Sequence, residues 1–196
     1  MRCQANDGYP SAVPPLWTAA GPSTLSRSSP SRPVRQQLPG GLTYEGCWLG
    51  EKKHGEGCLV YPDGSKYVGQ YSQDLRSGLG TYTYPCGSSY TGQWAQDVQH
   101  GFGSEVWANG SSYRGQFRMG FKDGRGMFKW SNGSVYDGEF SRDAMHGDGS
   151  FSWADRRRYY GQWQVNSMGP KGTMVWPDGR IYSGAFQSGV SHGEGV

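Results

Sequence analysis

The sequence has little of what a membrane protein, a secreted scaffold or an extracellular disulfide-rich domain needs. Only 34% of its 196 residues are hydrophobic, and no apolar run approaches the ~20 residues of a membrane span. The opening residues lack the apolar core of a signal peptide, so we do not expect the protein to be secreted. The four cysteines are too few for a disulfide scaffold and show no CxxC spacing, which favours a reducing, cytoplasmic setting.

An excess of positive charge is also missing from most of the chain. The net charge is +3, but residues 1–41 hold four of the 19 basic residues and one of the 16 acidic residues, so residues 42–196 are neutral. Affinity for nucleic acid depends on a basic surface that releases counterions. The sequence therefore predicts no nucleic-acid partner.

Residues 1–41 are predicted to be a disordered tail. They are rich in Ser, Pro and Arg, and they contain too few apolar residues to offset the conformational entropy that folding would remove. The folded part of the chain is therefore expected to span residues 42–196.

Glycine and aromatic residues are abundant, and from residue 44 they recur with a fixed period of 23. Glycine accounts for 33 residues, which argues against helices because each interior glycine destabilises a helix by about 1 kcal/mol. A tyrosine opens every repeat, and we number it position 1; positions 3 and 14 are glycine, and positions 5 and 18 are aromatic. Such a period is typical of a quasi-one-dimensional array. The opening tyrosines are Tyr44, Tyr67, Tyr90, Tyr113, Tyr136, Tyr159 and Tyr182.

Each repeat is predicted to be a β-hairpin. Positions 1 to 5 alternate between apolar and polar residues, which indicates a strand, and positions 14 to 18 form a second strand. Turn sequences follow position 18, as in Asn109-Gly110 and Asn132-Gly133, and these residues favour chain reversal. We therefore expect an all-β fold in which consecutive hairpins form one elongated, single-layer antiparallel sheet.

The expected register places position 1 opposite position 18, position 3 opposite position 16 and position 5 opposite position 14. Each aromatic ring at position 5 would then cover a glycine on the neighbouring strand. The other face of the sheet would carry small and polar side chains. The sequence thus predicts that one face of the sheet is aromatic and that the other is polar and exposed to solvent.

The repeat resembles the MORN repeat. The first copy reads YEGCW from Tyr44, HGEG from His54 and YPDG from Tyr61. The resemblance covers about residues 42–196. It implies an elongated solenoid that binds protein segments or membranes and has no chemistry of its own, as in scaffolds of cilia and flagella.

The copies of the repeat are not identical. Arg156 replaces the turn glycine of the fifth repeat, Gly169-Pro170 replaces His-Gly in the sixth, and the seventh repeat stops at Val196. We expect the strand from Tyr182 to Phe186 to lack a completed hairpin partner, which leaves an open edge. From this open edge we expect the seventh repeat to fray and the chain to associate end to end. We also expect the chain to be a truncated form of a longer protein.

Residues suited to catalysis or metal binding are sparse. The four histidines occupy position 11 of every second repeat, roughly 19 Å apart in the predicted sheet, which is too far to share a metal ion. Cys47 and Cys58 face each other in the expected register, which permits a cross-strand disulfide, although the reducing setting favours free thiols. No nucleophile–base set, carboxylate pair or phosphate loop is found, so we expect no enzymatic activity, cofactor or metal site.

Two groups of residues are candidate binding sites. Arg156, Arg157 and Arg158 are the one basic run in the repeats and suggest contact with an anionic lipid headgroup or an acidic peptide. The aromatic face is predicted to bind a helix or an extended protein segment, because exposed rings dominate binding hot spots. The predicted partner-binding aromatics are Trp107, Tyr113, Trp130, Tyr136 and Trp153.

Three functions follow as hypotheses. The leading one is a non-catalytic protein-interaction scaffold in the cytoplasm, associated with the cytoskeleton or the cilium. The alternatives are a peripheral membrane module that binds acidic phospholipids, and a regulatory array of an enzyme whose catalytic domain is not in this chain.

Overall fold

The computed structural model describes residues 33–187 and 189–195, which form one antiparallel sheet of fifteen strands in chain order. A short 3-10 turn, Pro39–Gly41, follows the first strand. In this part of the chain, no helix has the length and apolar character needed to cross a bilayer. The strands are β1 Val34–Leu38, β2 Leu42–Leu49, β3 Lys52–Val60, β4 Lys66–Ser72, β5 Leu75–Thr83, β6 Ser89–Ala95, β7 Val98–Val106, β8 Ser112–Arg118, β9 Phe121–Lys129, β10 Val135–Ser141, β11 Ala144–Ser152, β12 Arg158–Gln164, β13 Ser167–Val175, β14 Ile181–Gln187 and β15 Val190–Gly195.

Strands β2 to β15 pair successively into seven hairpins, which confirms the predicted all-β architecture. Two residues connect the strands of a hairpin, at repeat positions 7 and 8. In the second repeat these are Gln73 and Asp74, with φ of 49° and 74°. Positive φ at both residues is the type I′ geometry, whose twist matches that of the paired strands. The second strand of each hairpin therefore begins at position 9, earlier than the predicted position 14.

The predicted register is wrong by two residues. Position 1 lies opposite position 16 rather than position 18, as Tyr67 does opposite Tyr82. The glycines of positions 3 and 14 face each other, as Gly69 and Gly80 do. A shift of two residues leaves every side chain on its predicted face, because successive residues of a strand alternate between the two faces.

The paired glycines form a continuous row with one glycine from each strand from β2 to β15. The tyrosine of position 1 lies across this row, so that a Cβ atom added to Gly115 would lie 2.5 Å from the Tyr113 hydroxyl oxygen. That hydroxyl donates to the Gln116 carbonyl at 2.9 Å, and every repeat has the equivalent bond. The ring over the glycines is therefore the tyrosine of position 1 and not, as predicted, the ring of position 5.

The core is a zigzag of aromatic rings above the glycine row. Tyr113 is fully buried, and it contacts Phe117 and Phe140 edge to face, with centroids 5.1 Å apart in both pairs. The same alternation of position 1 and position 5 rings runs from Tyr44 to Phe186, and we call it the tyrosine spine. Each such contact contributes about 0.5–1.5 kcal/mol beyond area burial, so neighbouring repeats stabilise one another.

Both ends of the array differ from the expectation. Residues 34–38, expected in the disordered tail, form β1 and pair with β2; residues 1–32 of the predicted tail lie outside the described residues. At the other end β14 does have a hairpin partner, because β15 begins at Val190 and pairs that residue with Gln187. The last strand of the described sheet is therefore β15. Fraying and self-association at this end stay predictions.

Candidate functional site

The six residues of position 18 form a partly buried row along one edge of the aromatic face. Each follows the end of a second hairpin strand and closes a turn, as Trp107 does when its N–H donates to the Ser111 carbonyl at 2.9 Å. Because each repeat contributes two strands, neighbouring members of the row are about 10 Å apart. We call this row the rim; its members are Tyr61, Tyr84, Trp107, Trp130, Trp153 and Trp176.

Rings of position 16 hold the rim side chains in place. Phe128 lies between Trp107 and Trp130, with centroid distances of 5.6 and 5.7 Å. Phe151 lies between Trp130 and Trp153, at 4.3 and 4.5 Å. Since these contacts already restrict the tryptophan rings, a partner that covers them immobilises little further side-chain freedom.

An ion pair interrupts the position 16 rings. Glu105 occupies position 16 of the third repeat, and its carboxylate lies 3.9 Å from Lys122 Nζ, which also lies 3.4 Å from Asp143. The Lys122 ammonium is 5.1 Å from the centroid of the Trp107 ring. The side chains of Glu105 and Lys122 are only 16% and 13% exposed, so the charges are paired where little water reaches them. The pair separates the first two members of the rim from the last four.

The predicted basic run lies at the same edge, in the turn after Trp153. Arg156 has a left-handed φ of 72°, at the turn position that is glycine in the other complete repeats. Arg157 places its guanidinium 5.2 Å from the centroid of the Trp153 ring, and its Nε donates to the Asp155 carboxylate at 2.8 Å. Arg158 is the exposed first residue of β12. Of the three arginines, only Arg157 stacks on the rim.

The next turn has the same arrangement, in a residue that the sequence reasoning missed. The Arg180 guanidinium lies 5.6 Å from the centroid of the Trp176 ring, and its Nε donates to Asp178 at 2.7 Å. Arg180 was missed because it is not part of a basic run, although it shares repeat position 22 with Arg157. In the first four repeats this position holds a buried serine: Ser65, Ser88, Ser111 and Ser134.

The five predicted partner-binding aromatics fall into two groups. Trp107, Trp130 and Trp153 belong to the rim and are partly exposed. Tyr113 and Tyr136 have no exposed surface because they belong to the tyrosine spine. A partner therefore cannot touch these two tyrosines while the spine is intact, and the accessible part of the aromatic face is the rim.

Groups capable of metal binding or covalent chemistry are dispersed over the described residues. There, no three His, Cys, Asp or Glu side chains lie close enough together to hold a metal ion. Cys47 and Cys58 are free thiols. The actual register places Cys58 opposite Glu45, while Cys47 lies in the bulge after Gly46, so the two cysteines do not face each other as predicted.

Burial of the tyrosine spine predicts alkaline unfolding. Burial disfavours the phenolate and raises the pKa of Tyr44 from 10.0 to about 12, and it raises the pKa values of Tyr113 and Tyr136 as well. The folded protein therefore holds these protons more tightly than the unfolded chain, so the stabilisation is complete below pH 10 and is lost as the pH rises towards 12. We expect near-ultraviolet circular dichroism to disappear in that window as phenolate absorbance appears. Ionisation of all tyrosines near pH 10 with an unchanged spectrum would contradict this expectation.

The fold and the spacing of its side chains define a repeat protein made of consecutive β-hairpins. The chain belongs to the MORN repeat family, whose model matches residues 44–66, 67–89, 90–112, 113–135, 136–156 and 182–196. The predicted count of seven copies exceeds these five consecutive matches and one partial match. The unmatched sixth hairpin nevertheless pairs Gly161 with Gly172 in the register of the others.

A solved structure that matches is the TCP domain of SAS-4 (dCPAP) of Drosophila melanogaster, in complex with a proline-rich motif of Ana2 (dSTIL). The two chains share 15% sequence identity with a TM-score of 0.44, and the match covers 84% of this chain and 98% of that chain. Comparison with curated protein sequences gave no match.

Proposed function

We propose that the array is a non-catalytic protein-interaction scaffold whose partner lies along the rim. One observation carries the proposal: four tryptophans, from Trp107 to Trp176, follow one edge at a constant spacing of about 10 Å, and each is only partly buried. Tryptophan is enriched in binding hot spots, where a ring enters a well-packed pocket of the partner. The rings are also restrained before binding, which lowers the entropic cost of association.

The spacing of the rim suits a segment with one regular conformation. An extended segment in the polyproline II conformation advances about 3.1 Å per residue with three residues per turn, so every third side chain lies on the same side and reaches the next rim position. A helix advances about 10.8 Å in two turns, so it presents a similar side chain once per repeat. A helix or an extended segment that crosses the strands thus meets successive tryptophans with equivalent residues.

We propose that this scaffold works in the cytoplasm, in association with the cytoskeleton or the cilium. The support is the membership of the MORN repeat family together with the resemblance to scaffolds of cilia and flagella. Affinity capture from ciliated or testis tissue, followed by mass spectrometry, tests the location. Recovery of axonemal proteins supports it, whereas recovery of a kinase or a methyltransferase redirects the function towards regulation of an enzyme.

Replacing both Trp130 and Trp153 with alanine is expected to weaken the binding of a captured partner about tenfold or more, because two neighbouring rim rings are lost while every spine tyrosine remains. The partner is titrated against the wild-type protein and the double variant, and circular dichroism verifies that both are folded. The matched control is Phe102→Ala, which removes a ring that is 64% exposed on the other face, opposite Gln116. Equal binding by the wild-type protein and a folded double variant would exclude the rim as the binding surface.

A further inference from the structure

We infer that the last two turns of the rim bind an acidic protein segment through two arginine–tryptophan stacks. The stacks are Arg157 on Trp153 and Arg180 on Trp176. The inference rests on the proposed function, and it adds the chemistry of the partner at this end of the rim.

Position 22 changes its role between the fourth and the fifth repeat. In the first repeat its serine completes the turn, because Ser65 Oγ donates to Asp63 at 2.6 Å. The serine of the fourth repeat, Ser134, also accepts the Ala154 N–H of the next repeat at 3.2 Å. In the side chain of Arg157, only the Nε atom takes the place of the serine hydroxyl, because it donates to the carboxylate of Asp155 in the same turn. Within the described residues the Nη atoms of Arg157 make no hydrogen bond, so their N–H donors remain available to a partner.

The guanidinium groups of Arg157 and Arg180 are oriented before binding in a way that suits a carboxylate. Each lies over a tryptophan ring, where the cation–π attraction fixes its plane, and each is tied to an aspartate at 2.8 or 2.7 Å. A planar guanidinium fixed in this way presents parallel N–H donors that match the two oxygens of a carboxylate. Little side-chain entropy remains to be lost when an acidic residue binds.

The local charge favours an acidic partner. The segment 154–158 carries three arginines and one aspartate, a net charge of +2, whereas the equivalent segments of the first four repeats are neutral; the segment 177–181 is also neutral, with one arginine and one aspartate. Arg156, one of these arginines, has a left-handed backbone conformation, with φ of 72°, that glycine would adopt with less strain. The strained arginine, the two stacks and the net charge all occur in the same pair of turns.

The geometry favours a protein segment over a membrane. The stacks are one repeat apart, about 10 Å, so an extended segment in the polyproline II conformation with an acidic residue at every third position brings one carboxylate to each guanidinium. Recruitment by acidic lipids relies on clusters of four to eight basic residues near the surface. Here Asp155 and Asp178 reduce the charge of the four arginines from +4 to a net +2. The two aspartates would also be repelled by the dense negative charge of such a membrane surface.

The test measures binding of a labelled synthetic peptide, with glutamate at every third residue, to the full chain by fluorescence anisotropy. The same peptide with glutamine in place of glutamate is the uncharged probe. We expect the wild-type protein to bind only the glutamate peptide. The variant Arg157→Ser with Arg180→Ser, which restores the serine of the first four repeats, should bind about tenfold or more weakly. Arg157→Lys with Arg180→Lys keeps the charge but loses the planar fork and should weaken binding as well.

The matched control removes two positive charges from the other face of the sheet. Arg114→Thr with Lys129→Thr uses the residue that the third and the second repeat have at those positions, Thr91 and Thr83, so the fold is retained. This control should bind the glutamate peptide as the wild-type protein does. A separate variant, Arg156→Gly, should raise the midpoint of thermal unfolding and weaken peptide binding, because it relieves the backbone and removes a charge.

Four results would overturn the inference: no binding of the glutamate peptide, equal binding of the glutamine peptide, an equal loss in the control variant, or full affinity in the lysine variant. Flotation with phosphatidylserine vesicles separates the sources of anionic charge. Arginine-dependent binding to these vesicles without peptide binding would assign the two turns to a membrane surface instead. If the peptide test fails but capture of a partner still depends on Trp130, the proposed function stands and only the inference about an acidic segment is overturned. The failure of the inference can therefore be told apart from the failure of the proposed function.

Discussion

Replacing Gly115 with alanine is expected to lower the free energy of unfolding by about 3 kcal/mol, at the upper end of the usual cost of overpacking. The added Cβ atom would lie 2.5 Å from both the Gly126 Cα atom and the Tyr113 hydroxyl oxygen, and 2.7 Å from the Arg125 carbonyl oxygen. Two of these three neighbours are backbone atoms of the adjacent strand, so a side-chain rotation cannot relieve the clash. Urea unfolding followed by circular dichroism measures the loss.

Gly133→Ala is the matched control for this prediction. Gly133 has a φ of +87°, and no heavy atom lies within 4 Å of a Cβ atom added there. Its replacement should therefore cost about 1 kcal/mol, which is the price of a left-handed conformation alone. If Gly115→Ala were no more destabilising than Gly133→Ala, the close packing of the tyrosine spine on the glycine row would be refuted.

Replacing Tyr113 with alanine is expected to lower the free energy of unfolding by about 3–5 kcal/mol, the usual range for removal of a buried aromatic ring. The ring has no exposed surface, and its removal breaks the contacts with Phe117 and Phe140. It also leaves the Gln116 carbonyl without the hydroxyl that donates to it at 2.9 Å. The spine would then be interrupted in the middle of the array.

Two further substitutions divide this effect into its parts. Tyr113→Phe retains the ring and removes only the hydroxyl group, which should cost about 1 kcal/mol. Tyr160→Ala removes a tyrosine that is 47% exposed, and such a surface change should stay within about 0.5 kcal/mol. Similar losses for Tyr113→Ala and Tyr160→Ala in thermal or urea unfolding would show that the spine is not the core.

The sequence period predicts the architecture but not the alignment of the strands. Alternation fixes the face on which Tyr67 and Gly69 lie, and a shift of two residues does not alter it. What selects the actual register is the space that each tyrosine needs: its hydroxyl group fits only where two glycines face each other, as Gly69 and Gly80 do. This requirement is visible in the repeat only as two invariant glycine positions.

The ends and the turns were harder to predict for local reasons. Strand β1, Val34–Leu38, is mostly polar and exposed and has no repeat pattern, so its pairing with β2 left no signal in composition. The turn at positions 7 and 8 did leave one, because position 8 is Asp, Asn or Gly in six repeats, and these residues tolerate positive φ. It was overlooked because the residue before it, such as Gln73, is not typical of a type I′ turn.

The candidate site was predicted in part. In the sequence, positions 1 and 18 are both always aromatic. In the structure, however, Tyr113 of position 1 is buried, whereas Trp107 of position 18 is partly exposed. Position 1 lies inside a strand above the glycine row, whereas position 18 lies beyond the strand end, and only the register distinguishes them. Arg180 was missed because its meaning depends on the tryptophan beneath it, four residues earlier in the chain.

A rim made of equivalent repeats does not fix the register of a bound segment, because a shift of the segment by one repeat restores the same contacts. The ion pair between Glu105 and Lys122 removes this equivalence in the third and fourth repeats, before the two arginine–tryptophan stacks at the end of the rim. A polar group of a bound segment matches this place better than an apolar side chain, because an apolar side chain would remove the remaining water from a carboxylate and an ammonium that are 16% and 13% exposed. One carboxylate among the rings thus distinguishes one position along the rim from the others, so that a shift of a bound segment by one repeat no longer restores the same contacts.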